Sequence, residues 1–514
     1  MRLEPLAQSD VERIHLASLE ILEKTGIWFL GSPQAVGLLG NAGAHVEGNR
    51  VFLPSSLVEE ALASLPSRET STFCASGLGL ADALPLHKDA HHVLLIGNAY
   101  YWYDLAQGLA RDCQPSDLSA KYLVLDSLAN VVGDCCNLVL ASERQAGADD
   151  QALTESPANW LRRRAAARGA VLDARDARPA YIPPRIKNQP DQIQRLEVLA
   201  TFAVAGREAT EHTLRQWNRP FVWCNPISPL QYAGDEADGI IAAAKSPLGN
   251  GIVMISPEIL MGATGPVTMA GTLAQHNAEV LGGMTLAQVA QPGTLTVYGC
   301  VSAVMDMRSA EISQGHYETA TLNAAAVQMA DHYGMPSRIA SGNSSAREPG
   351  PQAAAEMAVG LYLGLASGAN LITTGLLDST LMISLEHLVL LDELVALMRK
   401  ATGGVEVNDS TLAMDQIQAY AHPSPGFITS DHTRQFMRRD IAYSTFGGRC
   451  EQAYEDWYEQ AHDRVQSILA TADDAMPEPT VAKRLDAIAA RLTEDGETWR
   501  HGKGQWWLPY VQDL

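Results

Sequence analysis

The sequence predicts an α/β protein in which parallel strands are covered by helices, as a closed barrel or an open sheet. Between about residues 252 and 392, short apolar segments rich in branched residues alternate with Ala-rich segments of helical period. A polar loop follows each apolar segment, and Gly or Pro ends each helical one, as at Pro292-Gly293 and Gly334-Met335-Pro336. We therefore expect function to lie in the loops that follow the strands.

Length and composition describe a large globular protein. The chain has 514 residues, of which 46% are hydrophobic, so it can bury a sizeable core. A formal net charge of -22 argues against nucleic acid as a partner, because phosphates require basic patches. No apolar run reaches the roughly 18 residues of a membrane span, and the polar start lacks a signal-peptide pattern. We expect a soluble, cytoplasmic protein without membrane contacts, and a homo-oligomer.

The cysteines indicate neither a disulfide framework nor a metal site. The seven cysteines are an odd number without paired spacing, which suits a reducing compartment. No CxxC or HExxH spacing occurs, so no bound metal is predicted. The sequence also lacks the GxxxxGK[ST], GxGxxG and GxSxG motifs of phosphate binding and of hydrolases.

Changes in composition divide the chain into three parts. Residues 1–90 are predicted to be an N-terminal α+β segment, with a helix from Ser9 or Asp10 to Thr25-Gly26 and a hairpin around Gly48-Asn49. Residues 91–445 contain the strand and helix repeats, with an Ala/Arg-rich insertion at about 142–186. Residues 446–514 are predicted to form a helical extension that ends in a Trp-rich tail.

Polar and aromatic side chains at strand ends are the candidates for a ligand pocket. Four consecutive aromatic residues, Tyr100 to Tyr103, cannot all point one way on a strand, so about half either line a cavity or fill a seam. Carboxylates and aromatics without a metal site or an activated nucleophile suit recognition of a cation, above all a quaternary ammonium. The further candidates near strand ends are Asn225, Tyr298, Asp306, Glu318, Asn343, Glu386, His387 and His432.

Several segments, in order, resemble the trimethylamine:corrinoid methyltransferase superfamily. They include IHLASLEILEKTGI, YWYDLAQGLARDCQPSDL, NPISPLQY, GATGPVTMAGTLAQHNAEVLGGMTLAQ, SGANLITTGLLDS and SLEHLVLLDE, and together they cover most of the chain. The chain is most similar to the branch that lacks pyrrolysine and includes glycine betaine:corrinoid methyltransferases. In pyrrolysine enzymes the special residue falls in the loop matching Gly342 to Gln352, where this chain has only standard residues.

The resemblance implies a TIM (β/α)8 barrel and an enzyme of the methyltransferase class. It implies transfer of a methyl group from a quaternary amine, such as glycine betaine or a related carboxylated betaine, to Co(I) of a transient corrinoid protein partner. The chain itself would bind no cofactor, because the corrinoid belongs to the partner. Trimethylamine is disfavoured as substrate by the standard residues of the Gly342 to Gln352 loop.

Roles for the candidate residues follow from the resemblance. Tyr298, Tyr100 and Trp102 are the expected cation-facing aromatics, Glu318 and Glu386 the acids beside the cation, and His387 or His432 the partner of a substrate carboxylate. Asn225 is assigned to substrate binding, and Asn343 is grouped with the two acids as catalytic. The alternatives are that the acids only favour helix N-termini and that the histidines are structural.

Three departures from the family pattern leave the acceptor open. The loop SGNSSAREPGPQ places Arg347 and Glu348 where the pocket wall is expected, so Arg347 either binds a substrate carboxylate or pairs with Glu348. The insertion and the Trp-rich tail also go beyond the pattern. The alternatives are a methyltransferase of the same fold that uses tetrahydrofolate or a thiol as acceptor, and a non-catalytic betaine-binding protein.

Overall fold

The computed structural model describes residues 2–73, 84–138, 221–245, 251–420, 426–442, 444–446 and 457–470. The predicted insertion at about 142–186 and the Trp-rich tail lie outside these residues. None of the described helices is both long and apolar enough to cross a membrane.

The N-terminal segment is a small α+β unit that joins the rest of the molecule through a shared sheet. Its helices and strands are α1 (Gln8–Glu20), β1 (Ile27–Leu30), α2 (Pro33–Asn41), β2 (His45–Glu47), β3 (Arg50–Phe52) and α3 (Ser55–Ala63). The predicted hairpin is confirmed, because β2 pairs with β3 antiparallel across the turn at Gly48. A later strand, β11 (Gln231–Ala233), pairs with β1 in parallel and ties this unit to the loop after residue 224.

Seven parallel strands form the central sheet. In chain order they are β6 (His92–Ala99), β9 (Val131–Leu138), β10 (Phe221–Cys224), β12 (Ile252–Ile255), β14 (Leu295–Cys300), β17 (Ser337–Ala340) and β18 (Leu371–Thr374). In space the order is β10, β12, β14, β17, β18, β6, β9, so the last strand in the chain pairs with the first. The structure thus confirms a mixed α/β fold with a parallel sheet.

A helix follows most of these strands and covers the sheet. The helices are α4 (Pro115–Ser127), α5 (Gly234–Ala244), α6 (Met269–Ala290), α7 (Tyr317–His332), α8 (Pro351–Ser367) and α9 (Leu385–Thr402). Their ends follow local chemistry: Ser384 caps the start of α9, and α8 stops at Gly368, whose φ of 87° favours glycine. The predicted alternation of strand, polar loop and helix is therefore confirmed.

The two faces of the sheet bury different sets of side chains. The outer face packs under the helices, as Val253, Ile255 and Ile339 do in the main core. The inner face forms a second cluster that includes Leu94 of β6, Ile252 and Met254 of β12, and Val297 of β14. Strands β6 and β12 are separated by three others in the sheet, so their side chains meet only because the sheet curves strongly.

Most of the short strands lie at the end of the sheet where the parallel strands finish. They belong to the loops that follow β6, β12, β14 and β18, and a further pair lies before β6. They are β7 (Tyr101–Asp104), β8 (Leu109–Asp112) and β19 (Met382–Ile383) in one sheet, β13 (Leu260–Met261), β15 (Ala303–Asp306) and β16 (Glu311–Ser313) in another, and the pair β4 (Thr72–Phe73) and β5 (Leu84–Pro85).

The described C-terminal part is helical, although only its last helix lies within the predicted extension at 446–514. It comprises α10 (Asp409–Leu412), α11 (Met414–Tyr420), α12 (Asp431–Asp440) and α13 (Trp457–Ala470). Helix α13 packs on α9 and α4. His432, which was expected in a loop, lies in the first turn of α12.

Candidate functional site at the carboxyl edge of the sheet

The carboxyl ends of the seven parallel strands meet at one edge, which we call the carboxyl edge together with the loops that follow those strands. Parallel α/β folds place their ligands at this edge, because the loops there can vary without disturbing the sheet. The side chains of the inner face that lie nearest to this edge are therefore the first place to look for a site.

Five residues of the inner face form the floor of the carboxyl edge: Trp223, Asn225, Ser256, Gly299 and Arg338. Arg338 pairs in register with Gly299, and its guanidinium carbon lies 4.4 Å from the centre of the Trp223 ring. The Trp223 indole N–H donates a hydrogen bond to the Asn225 Oδ1 at 2.8 Å. Arg338 is only 2% exposed, whereas Asn225 is exposed to solvent. An aromatic ring and a fixed positive charge thus underlie an open surface.

Glycine at position 299 is required by this packing. A Cβ there would overlap the Ser256 hydroxyl and lie 2.6 Å from the carbonyl oxygen of Ile255. Strand β14 therefore approaches β12 closely at this level, and no side chain of β14 fills the space above the floor.

Glu258 follows β12 by three residues and stands above the floor. The residue is exposed to solvent, yet burial by the surrounding protein raises the pKa of its carboxyl, while the nearby charge of Arg338 opposes that shift. Both observations hold for a carboxyl that has water on one side and protein on the others. Glu258 is thus a carboxyl that is accessible but poorly solvated.

The backbone on both sides of Glu258 is held by Ser302. Its hydroxyl accepts a hydrogen bond from the Ile259 N–H at 3.1 Å and donates to the Pro257 carbonyl at 3.2 Å. The buried His276 Nδ1 lies 3.0 Å from the same hydroxyl. Burial lowers the pKa of His276 to about 3, so this imidazole is neutral at physiological pH. Glu258 therefore projects from a rigid segment.

The loops after β17 and β18 are joined by hydrogen bonds. Asn343, which is 2% exposed, accepts from the Leu376 N–H at 3.2 Å, and the Ser344 N–H donates to the Leu376 carbonyl at 2.9 Å. Asp378, Ser379 and Thr380 all have positive φ angles, of 48°, 49° and 82°. Such backbone costs free energy in residues other than glycine and is found most often at functional sites.

Arg347 lies on the rim of the carboxyl edge. Its side chain is 68% exposed and forms ion pairs with Glu311 at 2.6 Å and Asp378 at 3.2 Å. The predicted partner Glu348 is therefore replaced by two acids from neighbouring loops. These pairs bridge the loops after β14, β17 and β18.

The aromatic residues Tyr100 to Tyr103 point alternately to two sides, as predicted. The residues that face the loops are not the ones that were expected to do so. Trp102 is buried in the main core, with Arg111 over its ring at 5.6 Å. Tyr103 instead clusters with Ala346 and Leu377 in the loops of the carboxyl edge, and Tyr101 packs against that cluster. Tyr100 is half-buried, and its N–H donates to the Leu381 carbonyl at 2.8 Å. Tyr101 and Tyr103, rather than Trp102, thus face the loops.

Tyr298 points away from the inner face. It is 1% exposed in the main core, where its hydroxyl donates to the Asn277 Oδ1 of α6 at 3.0 Å. A ring held between sheet and helix has no opening through which a ligand could reach it. The expectation that Tyr298 faces a cation is corrected by this placement.

Glu386 and His387 contact the C-terminal helix α13 instead of open space. Glu386 accepts hydrogen bonds from Ser384 at 2.9 Å and from His462 Nδ1 at 2.9 Å. His387 is fully buried, with its Nδ1 2.8 Å from the Tyr458 hydroxyl. Burial lowers the pKa of His387 to about 3. Their surroundings correct the expected substrate roles: both side chains fasten α13 to α9.

The remaining predicted residues are more scattered. Glu318 lies in the first turn of α7, with its Oε2 3.7 Å from His316 Nδ1, at the end of α7 that adjoins the carboxyl edge. Asp306 pairs with the neighbouring Arg308 and faces solvent. His432 stacks on Phe436 and its Nε2 contacts the Ser410 carbonyl at 3.2 Å, on the exposed C-terminal helices. The structure therefore brings Asn225, Asn343, Arg347 and Glu318 to the carboxyl edge.

Sequence reasoning missed Trp223, Glu258 and Arg338. The sequence contained a signal for Arg338. A charged residue inside the apolar strand SRIAS costs free energy to bury unless a specific contact compensates for it. Glu258 directly follows Ser256-Pro257, at the end of the apolar segment GIVMI. Among the described residues, no three His, Cys, Asp or Glu side chains converge as a metal site.

Comparisons with known proteins agree with the resemblance. The sequence profile of the family described as Trimethylamine methyltransferase (MTTB) matches residues 1–109 and 196–496. The chain is 28% identical to a glycine betaine methyltransferase of Desulfitobacterium hafniense strain Y51, over 96% of this chain and 98% of that protein. It is 27% identical to the trimethylamine methyltransferase MttB of strain DSM 10664 / DCB-2 of the same species, over 96% of this chain and 94% of that protein.

A solved structure of similar type is that of the Methanosarcina barkeri monomethylamine methyltransferase. It aligns with 96% of this chain and 89% of its own at 10% identity, with a TM-score of 0.42, which is too distant to define the fold. The family match covers most of the chain and spans both the N-terminal unit and the parallel sheet. This protein therefore belongs to the trimethylamine methyltransferase family and is a methyltransferase.

Proposed function

We propose that the protein removes a methyl group from a carboxylated quaternary amine of the glycine betaine type and passes it to the cobalt of a corrinoid on a separate protein. The observation that carries this proposal is the full-length similarity to a protein named glycine betaine methyltransferase. The carboxyl edge supports it, since it offers an accessible acid, Glu258, above an aromatic and a cationic floor.

We also propose that the seven strands belong to a TIM barrel. The pairing of β18 with β6 joins the last strand to the first, which a closed barrel requires. Shared packing of Leu94 with Ile252 across the curved sheet supports the same proposal. The break in the strand order falls between β9 and β10, which flank residues 139–220, outside the described part of the chain.

The proposed reaction asks little acid or base chemistry of the protein. A quaternary ammonium already contains a good leaving group, a neutral tertiary amine, so the protein must hold the cation with one methyl group directed outwards. The corrinoid supplies Co(I), the nucleophile that accepts the methyl group. Exclusion of water around the bound amine then favours loss of the positive charge at nitrogen, because a cation is solvated less well there than in water.

Covalent transfer through a cysteine of the described core has no support. Cys113, Cys136, Cys224 and Cys300 are all buried. Burial raises the pKa of Cys113 and of Cys300 to about 12, so neither thiol ionises at neutral pH. These four thiols are therefore not expected to carry the methyl group.

A thermal-shift screen tests substrate class without any partner. Ligands that bind only the folded state raise the melting temperature once their concentration exceeds their dissociation constant; binding at 100 times that constant is worth about 2.7 kcal/mol. We expect glycine betaine to raise it and trimethylamine to leave it unchanged. If no quaternary amine raises it at millimolar concentration, the proposed substrate class is wrong.

A second assay tests the acceptor. Purified protein is mixed with the amine that binds and with either Co(I) cobalamin or tetrahydrofolate, and the demethylated amine is measured by mass spectrometry. Product formed only with Co(I) cobalamin supports the corrinoid proposal, whereas product formed only with tetrahydrofolate overturns it. Binding without product in either case favours a non-catalytic betaine-binding protein.

Two further features accompany the proposal. We place the reaction in the cytoplasm, because Co(I) survives only under reducing conditions and the cysteine pattern suits such a compartment. We also propose a homo-oligomer, which light scattering of the purified chain tests directly.

A further inference from the structure

We infer that Glu258 is the residue that recognises the positive charge of the methyl donor and so selects cationic substrates over neutral ones of the same shape. The inference rests on the proposed function and assigns a specificity-determining group within it.

Several other acids near the carboxyl edge already have partners. Glu356 accepts hydrogen bonds from Ser344 and from the Ser345 N–H, at 2.6 and 2.8 Å. Glu311 and Asp378 pair with Arg347. Each of these carboxylates therefore serves to hold loops together.

Further acids follow the same pattern. Glu236 accepts from the Asn225 N–H at 3.1 Å, and Glu386 accepts from Ser384 and His462. Glu318 differs, because its Oε2 is buried without a hydrogen-bond partner and lies 3.7 Å from His316 Nδ1. Unlike Glu236 and Glu386, Glu258 forms neither a hydrogen bond nor an ion pair with any described residue, although Arg338 acts on it through its charge.

A carboxylate in this situation favours a cation that needs no hydrogen bond. Burial disfavours the charged form of Glu258, so a positive charge placed beside it recovers free energy that water does not supply. A quaternary ammonium carries no N–H donor and interacts by charge and dispersion alone, so a lone accessible carboxylate with a rigid backbone suits it. The segment that Ser302 holds supplies that rigidity.

Arg338, itself part of the floor, balances this charge. It is 2% exposed and stacked against Trp223, so it acts on a ligand through its field and not through direct contact. A negative carboxylate at Glu258 and a positive guanidinium beneath it complement a zwitterion better than a simple cation. Glu258 is the accessible member of this pair and hence the one that a substitution can test cleanly.

The experiment compares two ligands of the same shape by isothermal titration calorimetry. Glycine betaine carries a trimethylammonium group, and 3,3-dimethylbutanoate replaces it with a neutral tert-butyl group while keeping the carboxylate. The proteins are the wild type, Glu258→Gln, Glu258→Asp and the control Glu47→Gln, which removes an exposed acid on β2 far from the carboxyl edge in sequence and fold.

We expect the wild type and Glu47→Gln to prefer glycine betaine. Glu258→Gln should weaken glycine betaine at least tenfold and leave 3,3-dimethylbutanoate unchanged or bound more tightly, whereas Glu258→Asp should retain part of the preference. Melting temperatures of all four proteins should agree within a few degrees, because Glu258 has no structural partner within the described residues.

The outcomes separate this inference from the proposed function. If the wild type binds glycine betaine and Glu258→Gln binds it within twofold of the same affinity, the inference is overturned and the substrate class stands. Equal losses for both ligands in Glu258→Gln also overturn it, because they indicate a change of shape and not of charge. If the wild type binds neither ligand, the substrate class fails and the inference fails with it.

Discussion

Two acids with opposite surroundings, Glu258 and Glu386, show what distinguishes a ligand site from a structural contact. Both lie near the carboxyl edge, Glu258 after β12 and Glu386 in the first turn of α9. Glu386 is 5% exposed and is bonded to Ser384 and His462. Glu258 is exposed and bonded to no described residue.

The two acids differ in whether the protein itself supplies their bonding partners. The chain itself satisfies Glu386, and removing that acid would leave buried donors without partners. Nothing within the described residues satisfies Glu258, so its carboxyl is free for a molecule from outside. A carboxylate that the fold leaves accessible and poorly solvated is the better guide to function.

The largest effect on stability is expected from a substitution at Gly299, where the floor has no space for a larger side chain. In Gly299→Ala the new methyl group would collide with Ser256 and with the Ile255 carbonyl, both part of the sheet. We expect a loss of about 3 kcal/mol or more in the free energy of unfolding, together with loss of ligand binding. Urea denaturation measures the first and calorimetry the second.

Gly37→Ala is the matched control for Gly299→Ala. Gly37 lies in α2 with open space around its Cα and no positive φ, so alanine should be neutral or stabilise by up to about 1 kcal/mol. Equal behaviour of the two variants would contradict the close approach of β12 and β14.

Glu279 provides an intermediate case between the two acids. It is fully buried in α6, and it accepts hydrogen bonds from the Leu230 N–H, Gln275 and Ser228 in and near the loop after β10. Burial still raises the pKa of its carboxyl to about 7, above the value near 4.5 of an exposed one. The folded state therefore binds this proton more tightly than the unfolded state does.

The sign of the resulting pH dependence follows directly. Stability from Glu279 is fully present below about pH 4.5 and is lost as the pH rises to about 7. Relative to the wild type, Glu279→Gln should gain up to about 3 kcal/mol in the free energy of unfolding between pH 5 and pH 8. A difference that stays constant across this range of denaturation experiments would show that the carboxyl titrates normally.

Glu386→Ala tests the structural side of the comparison. We expect it to lower the free energy of unfolding by about 2 kcal/mol, because the Ser384 hydroxyl and His462 lose a buried acceptor. Affinity for glycine betaine should not change when measured well below the melting temperature. Glu386→Gln, which keeps an acceptor oxygen, should lose less stability. Loss of affinity without loss of stability would restore the substrate role suggested by the sequence.

Arg347→Gln should have the smallest effect. Exposed ion pairs contribute about 0 to 1 kcal/mol, and both partners of Arg347 remain solvated when it is removed. We expect the loss of stability to shrink further in high salt and the affinity for glycine betaine to be unchanged. A tenfold loss of affinity would show that Arg347 leaves Glu311 and Asp378 to bind the substrate carboxylate.

The fold was largely predictable, because strand, loop and helix follow one another in a regular pattern of apolar period and Gly/Pro stops. The face of the sheet on which each strand side chain lies was not predictable. Strand β14 is buried on both faces, so the sequence TLTVYGC gives no sign that Tyr298 faces the helices. Because of the same ambiguity, Trp102 was expected to face a ligand, whereas Tyr101 and Tyr103 are the residues that face the loops.

Contacts between distant segments explain the other differences. The partner of Glu386 is His462, 76 residues away, and no local pattern announces it. Arg347 likewise pairs with Glu311 and Asp378, from two other loops. The rule that polar residues after strands converge was sufficient for Asn225 and Asn343, and applied to Pro257-Glu258 it would have found Glu258 as well.

The pairing of the first strand with the last also constrains how the protein is made. His92 of β6 pairs with Leu371 of β18, about 280 residues later. At a synthesis rate of about 5 to 20 residues per second, one edge of β6 waits between about 14 and 56 seconds for its neighbour. During that interval an apolar strand edge is open to other chains, so slow translation or crowding of nascent chains should favour aggregation. Expression at low temperature with chaperones is the natural remedy.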